Sequence, residues 1–215
     1  MKKLLLPLAL AFASNAAVAA NSVDLRVTGT ITPAACNITL LGGNIDYGEL
    51  DFQSVSNGTA GIGQNVFRSL NITCSGSTQI AFKAIDNRQD SVPAGETRSA
   101  AFGLGFDNSQ NPIGIYLLDI TGNSITTDSV AGAIDYSDDN GVTWRDWSGV
   151  QNLVNYNKSP RLYAFDLPSN LGGQPLPIMN GTVEFKANTV IKANSLDSST
   201  EIIIDGSATF ELVYL

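Results

Sequence analysis

Apolar and polar positions alternate along most of this chain, in short runs separated by clusters of glycine, asparagine, aspartate, serine and proline. Between Val23 and Ile31, the residues Val23, Leu25, Val27 and Ile31 fall on one side with Gly29 in register, and Ser22, Asp24, Arg26, Thr28 and Thr30 fall on the other. Cys36, Ile38 and Leu40 share a face against Asn37 and Thr39. Leu70, Ile72 and Cys74 share a face against Ser69, Asn71 and Thr73. Further runs cover 78–85, 161–167 and 182–192; in the last, Val183, Phe185, Ala187 and Ile191 oppose Glu184, Lys186 and Lys192. Residues 113–120 are nearly all apolar, as in a strand buried on both faces. A final run over 201–214 is interrupted at Asp205-Gly206 and then sets Ala208, Phe210, Leu212 and Tyr214 against Thr209 and Glu211. Successive side chains leave a strand on opposite faces, so this period of two reads as strand. No helical period is sustained after residue 20. Many short strands between turn signals predict an all-β antiparallel sandwich.

The segment MKKLLLPLALAFASNAAVAA has Lys2 and Lys3, a short apolar run and an Ala17-Val18-Ala19 ending, the form of a secretory signal peptide. Residues 1–19 are expected to be removed, leaving one domain over 20–215. An exported chain with two cysteines predicts a Cys36–Cys74 disulfide. Both sulfurs fall on the apolar side of their runs, which supports the pairing. The formal charge is −8 with no basic cluster, which argues against nucleic acid and anionic membrane surfaces as partners.

Histidine is absent, which removes Ser-His-Asp and Cys-His machinery and the commonest transition-metal ligand. No phosphate-binding or dinucleotide fingerprint occurs. We expect no enzyme activity, no catalytic residue, no metal and no cofactor. Ser137–Trp144 reads SDDNGVTW and fits the Asp-box pattern of sialidases and other β-propellers. There the motif builds a hairpin, and one copy cannot supply a propeller. A hairpin with Gly141 in a special backbone conformation and Trp144 packed against it is the expectation. Trp144, Arg145, Trp147 and Tyr156 form either a platform for a sugar or peptide or the packing of that hairpin on the sandwich. Packing is favoured, since aromatics more often bury area.

VTGTITPAACNI around Cys36 and ATFELVYL at 208–215, with Cys74 at a suitable distance, resemble the subunits of bacterial chaperone–usher fimbriae. The resemblance covers roughly the first sixty residues after the signal peptide and roughly the last forty. It implies an incomplete, pilin-type Ig-like sandwich that lacks its seventh strand and exposes a groove. It implies capture by a periplasmic chaperone, passage through an outer-membrane usher, and donor-strand exchange with neighbouring fimbrial subunits at the cell surface. Val23, Leu25, Val27 and Gly29 would be the donor strand. Ala208, Phe210, Leu212, Tyr214 and Leu215 would be the chaperone and subunit interface, with the Leu215 carboxylate held by basic residues of the chaperone. The last strand is expected in the sheet of 182–192, as its antiparallel partner across ANSLDSST, or beside the groove. The chain departs from the pattern in a short stretch before Val23, in the Ile202–Ile204 run where a glycine is usual, and in a long central insertion over 86–175. The alternatives are a minor tip adhesin or secreted module that binds a host glycan or protein receptor through the aromatic platform, and an Asp-box carbohydrate-active protein.

Overall fold

A computed structural model describes residues 22–31, 34–56, 62, 66–147 and 151–215. The expected signal peptide, 1–19, lies outside the described residues. Residues 34–215 form a compact unit, and residues before Ala34 belong to a separate one. In the latter, residues 22–31 belong to no helix or strand, and the side chains of Val23, Leu25, Val27 and Ile31 are almost fully exposed.

The body contains the strands β1 (Cys36–Leu41), β2 (Phe67–Thr78), β3 (Ile80–Asp86), β4 (Phe102–Gly103), β5 (Gly114–Thr127), β6 (Val130–Ala131), β7 (Ala133–Ser137), β8 (Arg145–Asp146), β9 (Gln151–Asn152), β10 (Leu162–Asp166), β11 (Ile178–Ile191) and β12 (Ala208–Tyr214). One short helix, α1, spans Phe52–Ser56. The strands make two antiparallel sheets. The first has the order β1-β2-β11-β5-β4, with β6 and β9 also paired to β5, and the second has the order β12-β3-β10-β7-β8. The all-β sandwich read from the alternation is thus the observed architecture.

The inward faces follow the predicted parity. Leu70, Ile72, Ile120, Val183 and Phe185 of the first sheet meet Phe82, Tyr163 and Phe165 of the second in one core. Phe82 lies 5.6 Å from the rings of both Tyr163 and Phe165. Burying each such side chain is worth about 1.5–3 kcal/mol. Gly181 of β11 makes room for the Phe165 ring of the second sheet, since an added Cβ would sit 2.6 Å from it.

Two expectations about arrangement are corrected. Residues 86–175 are no appended insertion, since they supply β4 to β10 and so strands of both sheets. The last strand does not pair with 182–192. Both edges of β11 are taken, by β2 and β5, so β12 crosses to the other sheet and pairs with β3 from Ala208↔Asp86 to Tyr214↔Ile80. It does lie beside a groove, which was the other expected position.

Candidate functional site

The groove follows from the strand order. β1 ends the first sheet and β12 ends the second, so each carries an edge without a ladder partner among the described residues. An edge of this kind is a template for another strand. The disulfide predicted from parity anchors β1: Cys36 and Cys74 are directly opposed in the register, with Cα atoms 3.9 Å apart. The two edges meet at the disulfide end. The Cys36 N–H donates to the Tyr214 hydroxyl at 2.9 Å and closes that end.

Beyond this contact the edges separate around a cavity of about 970 Å³. Residues 43–50 continue from β1 along one wall, turning at Gly43 and Gly48 with φ of 66° and 62°, and residues 201–207 lead into β12 along the other; both belong to neither sheet. The floor is apolar: Tyr116, Leu118, Phe185, Ala187, Ile191 and Phe210 line it. Phe210 packs on Phe185 with ring centroids 5.3 Å apart. Burial pushes the Tyr116 phenol far above its ordinary value, so this floor stays uncharged.

Each wall is clipped by an arginine. Arg68 donates from Nε to the Gly43 carbonyl at 2.8 Å and from Nη2 to the Asn44 carbonyl at 2.6 Å. Arg88 donates from Nε and Nη2 to Asp205 Oδ2, at 2.9 and 2.6 Å. The Tyr47 hydroxyl is 2.8 Å from Thr189 Oγ1, which ties the first wall to the floor. Gly206 lets the second wall lie against the floor, because a Cβ there would meet Tyr116 and Leu104 at 3.0 and 3.1 Å. The groove therefore offers an apolar floor between two walls that lie outside both sheets, and some of their backbone groups are already paired, as Asp205 N–H is with the Leu104 carbonyl. In strand addition generally, main-chain hydrogen bonds to a sheet edge give affinity and pockets for alternate side chains give specificity.

The predicted interface residues are all on β12 or directly after it. Ala208 and Phe210 line the groove, Leu212 is packed against the core, and Tyr214 and Leu215 are about half exposed. Val23, Leu25, Val27 and Gly29 are on the exposed segment already described.

The aromatic platform is not formed. Trp147 is buried in the main core, 5.3 Å from Tyr163, and Trp144 is buried in another cluster with Ala81, Leu162 and Ala164. Tyr156 is half-buried beneath Lys83, whose Nζ stands 4.5 Å from the ring. Arg145 is exposed and faces Asp138 at 3.9 Å. The two indoles bury area instead of presenting a shared face, which is the outcome favoured for aromatics of this size.

SDDNGVTW is a turn that braces itself between β7 and β8. The Gly141 N–H donates to Ser137 Oγ at 2.8 Å, the Ser137 hydroxyl donates to Asp139 Oδ1 at 2.7 Å, and the Thr143 N–H donates to Asp139 Oδ1 at 2.8 Å. Asn140 and Gly141 have φ of 63° and 91°, and Trp144 Nε1 donates to the Gly141 carbonyl at 3.1 Å. The Thr143 hydroxyl, then the Thr143 N–H and the Ser137 hydroxyl, hold the Asp139 carboxyl down to about 2. Its acceptors are spent on its own turn. The neighbouring Asp138 is held by Arg161 at 2.6 and 3.0 Å.

What sequence reasoning missed is the opposite wall, 43–50, and its arginine clips. Tyr47, Arg68 and Arg88 sit in stretches without a motif, and only the fold brings them together around the groove. Comparison with known proteins adds kinship. Residues 25–115 match a family described as "Protein of unknown function (DUF1120)", a span that contains both cysteines, β1 and the first wall. The chain is 28% identical to "Uncharacterized protein YhcF" of Escherichia coli (strain K12), over 95% of each chain. It is 28% identical to "Protein GltF" of the same organism, over 96% of this chain and 94% of that one. Similarity to these two proteins thus runs through the whole sandwich, groove walls included.

Proposed function

We propose that the protein is a subunit of a bacterial surface fimbria, exported through the periplasm and assembled by strand exchange. The observation that carries this reading is the groove, an apolar floor at the edges of β1 and β12 that have no ladder partner among the described residues. A bare edge over an apolar cleft aggregates unless a strand covers it, and an extended peptide is the occupant that satisfies both the backbones and the floor. On this reading a periplasmic chaperone covers β12 first, and the 22–31 segment of a neighbouring subunit replaces it after passage through the usher. The segment suits the task because its alternate apolar side chains are exposed while its backbone has no ladder partner. The subunit contributes to adhesion as part of the fibre. The buried indoles remove the platform on which a glycan-binding reading rested.

The test is coexpression with a chaperone of a chaperone–usher system, followed by native mass spectrometry of the periplasmic fraction. A one-to-one complex, replaced by a peptide of residues 22–31, is the expected result. A stable, soluble monomer that binds neither chaperone nor peptide removes the reading.

A further inference from the structure

On the outward side of the second sheet, Asp135 of β7 and Asp166 of β10 are completely buried. Parity puts them outward, since Ile134, Tyr163 and Phe165 take the core positions of the same strands. The loop 167–174 (LPSNLGGQ) roofs them. Gly172 N–H donates to Asp135 Oδ2 at 2.8 Å, Leu167 N–H donates to Asp166 Oδ1 at 2.7 Å, and Asn170 Nδ2 donates to Asp166 Oδ2 at 2.8 Å. Three of the four carboxyl oxygens thus have an N–H donor. The fourth, Asp135 Oδ1, is buried with no donor. Asp166 is two residues along β10 from Ala164, the register partner of Asp135, so the two carboxyls are diagonal neighbours on the same face of the sheet. Two carboxylates are acceptors only and cannot satisfy each other unless one carries a proton. Two like charges in a site closed to water favour a single ionisation, as in other carboxyl pairs.

We propose that Asp135 and Asp166 share one proton and that this proton fastens the 167–174 loop to the sheet as a pH-dependent latch. The surrounding groups agree. The charges that act on Asp135 are negative: Asp166 on β10 and Asp146, its register partner on β8. Arg145, next on β8, is turned to Asp138. The loop itself has no ionisable side chain, and from β5 the Thr127 hydroxyl donates to the Asp166 carbonyl. Burial, then the Asp166 and Asp146 charges, push the Asp135 carboxyl up to about 7, against the Gly172 hydrogen bond. A cation in place of the proton fits poorly. The donors point the positive ends of N–H bonds into the site, and among the described residues no three acidic groups converge to share an ion.

The sign follows from linkage. The closed loop holds a proton that the open loop, with an ordinary carboxyl, gives up. Opening therefore becomes easier as pH rises from about 4 to about 7, by at most about tenfold per pH unit, and levels off above. The latch is independent of the groove reading.

The experiment is amide hydrogen exchange of Leu167 and Gly172 by NMR on the disulfide-bonded protein between pH 4.5 and 8, corrected for intrinsic exchange. The wild type should lose protection toward pH 7 and then level off. In Asp135→Asn the side-chain amide supplies the hydrogen at every pH, so protection should be flat. A flat wild type, or an equal slope in Asp135→Asn, overturns the proposal. So does protection at pH 8 that millimolar calcium restores and a chelator removes, which would mark a cation site. Should Asp135→Asn fail to fold, ¹³C titration of the wild-type carboxyls decides: one carboxyl titrating near pH 7 supports the latch, and all titrating below about pH 5 overturn it.

Discussion

Removing the Cys36–Cys74 bond should cost more than any single groove contact. The bond joins residues 38 apart in sequence. In the chain-entropy model, closing a loop of that length removes about 4 kcal/mol of freedom from the unfolded state, a large share of the roughly 5–15 kcal/mol by which domains are stable. The double change Cys36→Ser with Cys74→Ser keeps the side chains small and leaves no unpaired thiol. The loss has a local part too. Among the described residues β1 pairs only with β2, and Cys36↔Cys74 is the first pair of that ladder. Without the bond this edge should fray, and with it the start of the 43–50 wall and the Cys36–Tyr214 contact. Urea unfolding followed by tryptophan fluorescence reads the global term: Trp147 and Trp144 sit in different clusters, so a single transition seen by both also tests two-state behaviour. Hydrogen exchange of β1 reads the local term. A loss below about 1 kcal/mol, with β1 amides as protected as before, would refute the reasoning. It would show that ladder and core packing alone hold the edge.

Other changes separate packing from turn chemistry. Phe82→Ala should cost about 3–5 kcal/mol by equilibrium unfolding, because the ring is fully buried between Tyr163 and Phe165. Gly181→Ala should cost about 1–3 kcal/mol, because the new Cβ collides with the Phe165 ring. Asp139→Ala should lower the melting temperature at neutral pH and abolish part of the acid sensitivity. Its carboxyl is depressed to about 2, so the stability it contributes is present above the ordinary carboxyl range and is lost as pH falls toward 2.

The sandwich was legible because alternation survives single-residue inspection. Val183, Phe185 and Ala187 point inward by parity, and the same parity aimed Cys36 and Cys74 at each other. The partner of β12 was not legible. ANSLDSST looks like a hairpin connection, yet which strand a run joins depends on whether an edge is vacant, and β11 has none. Two-residue strands such as β4 and β8 have no period to detect. The central residues read as an insertion because they lack a motif, although Tyr163 and Phe165 are at the centre of the core. The arginine clips and the Asp135–Asp166 pair escaped for a related reason: each is a contact between distant segments with nothing local to mark it. Trp144 and Trp147 were legible as large apolar groups, and weighing area against ligand binding pointed to burial.

Tyr214 is where fold and proposed function can be separated. Its hydroxyl accepts from Cys36, but its ring is about half exposed, so the side chain contributes modest packing. Tyr214→Phe keeps the ring and leaves the Cys36 N–H to water, a change of about 1 kcal/mol or less. It should fold normally, with faster exchange of the Cys36 amide. Tyr214→Ala removes the bridge between the two edges together with an apolar surface at the end of β12. If β12 is the surface that a chaperone covers, Tyr214→Ala should lower the yield of chaperone complex and of surface-displayed protein, with the remainder aggregating or degraded in the periplasm. Arg145→Ala is the control, since Arg145 is exposed and remote in register from β12; Trp147→Ala is not, because its indole is core. Equal chaperone complex and equal display from Tyr214→Ala, Tyr214→Phe and Arg145→Ala would take β12 out of assembly and leave the groove without its proposed occupant.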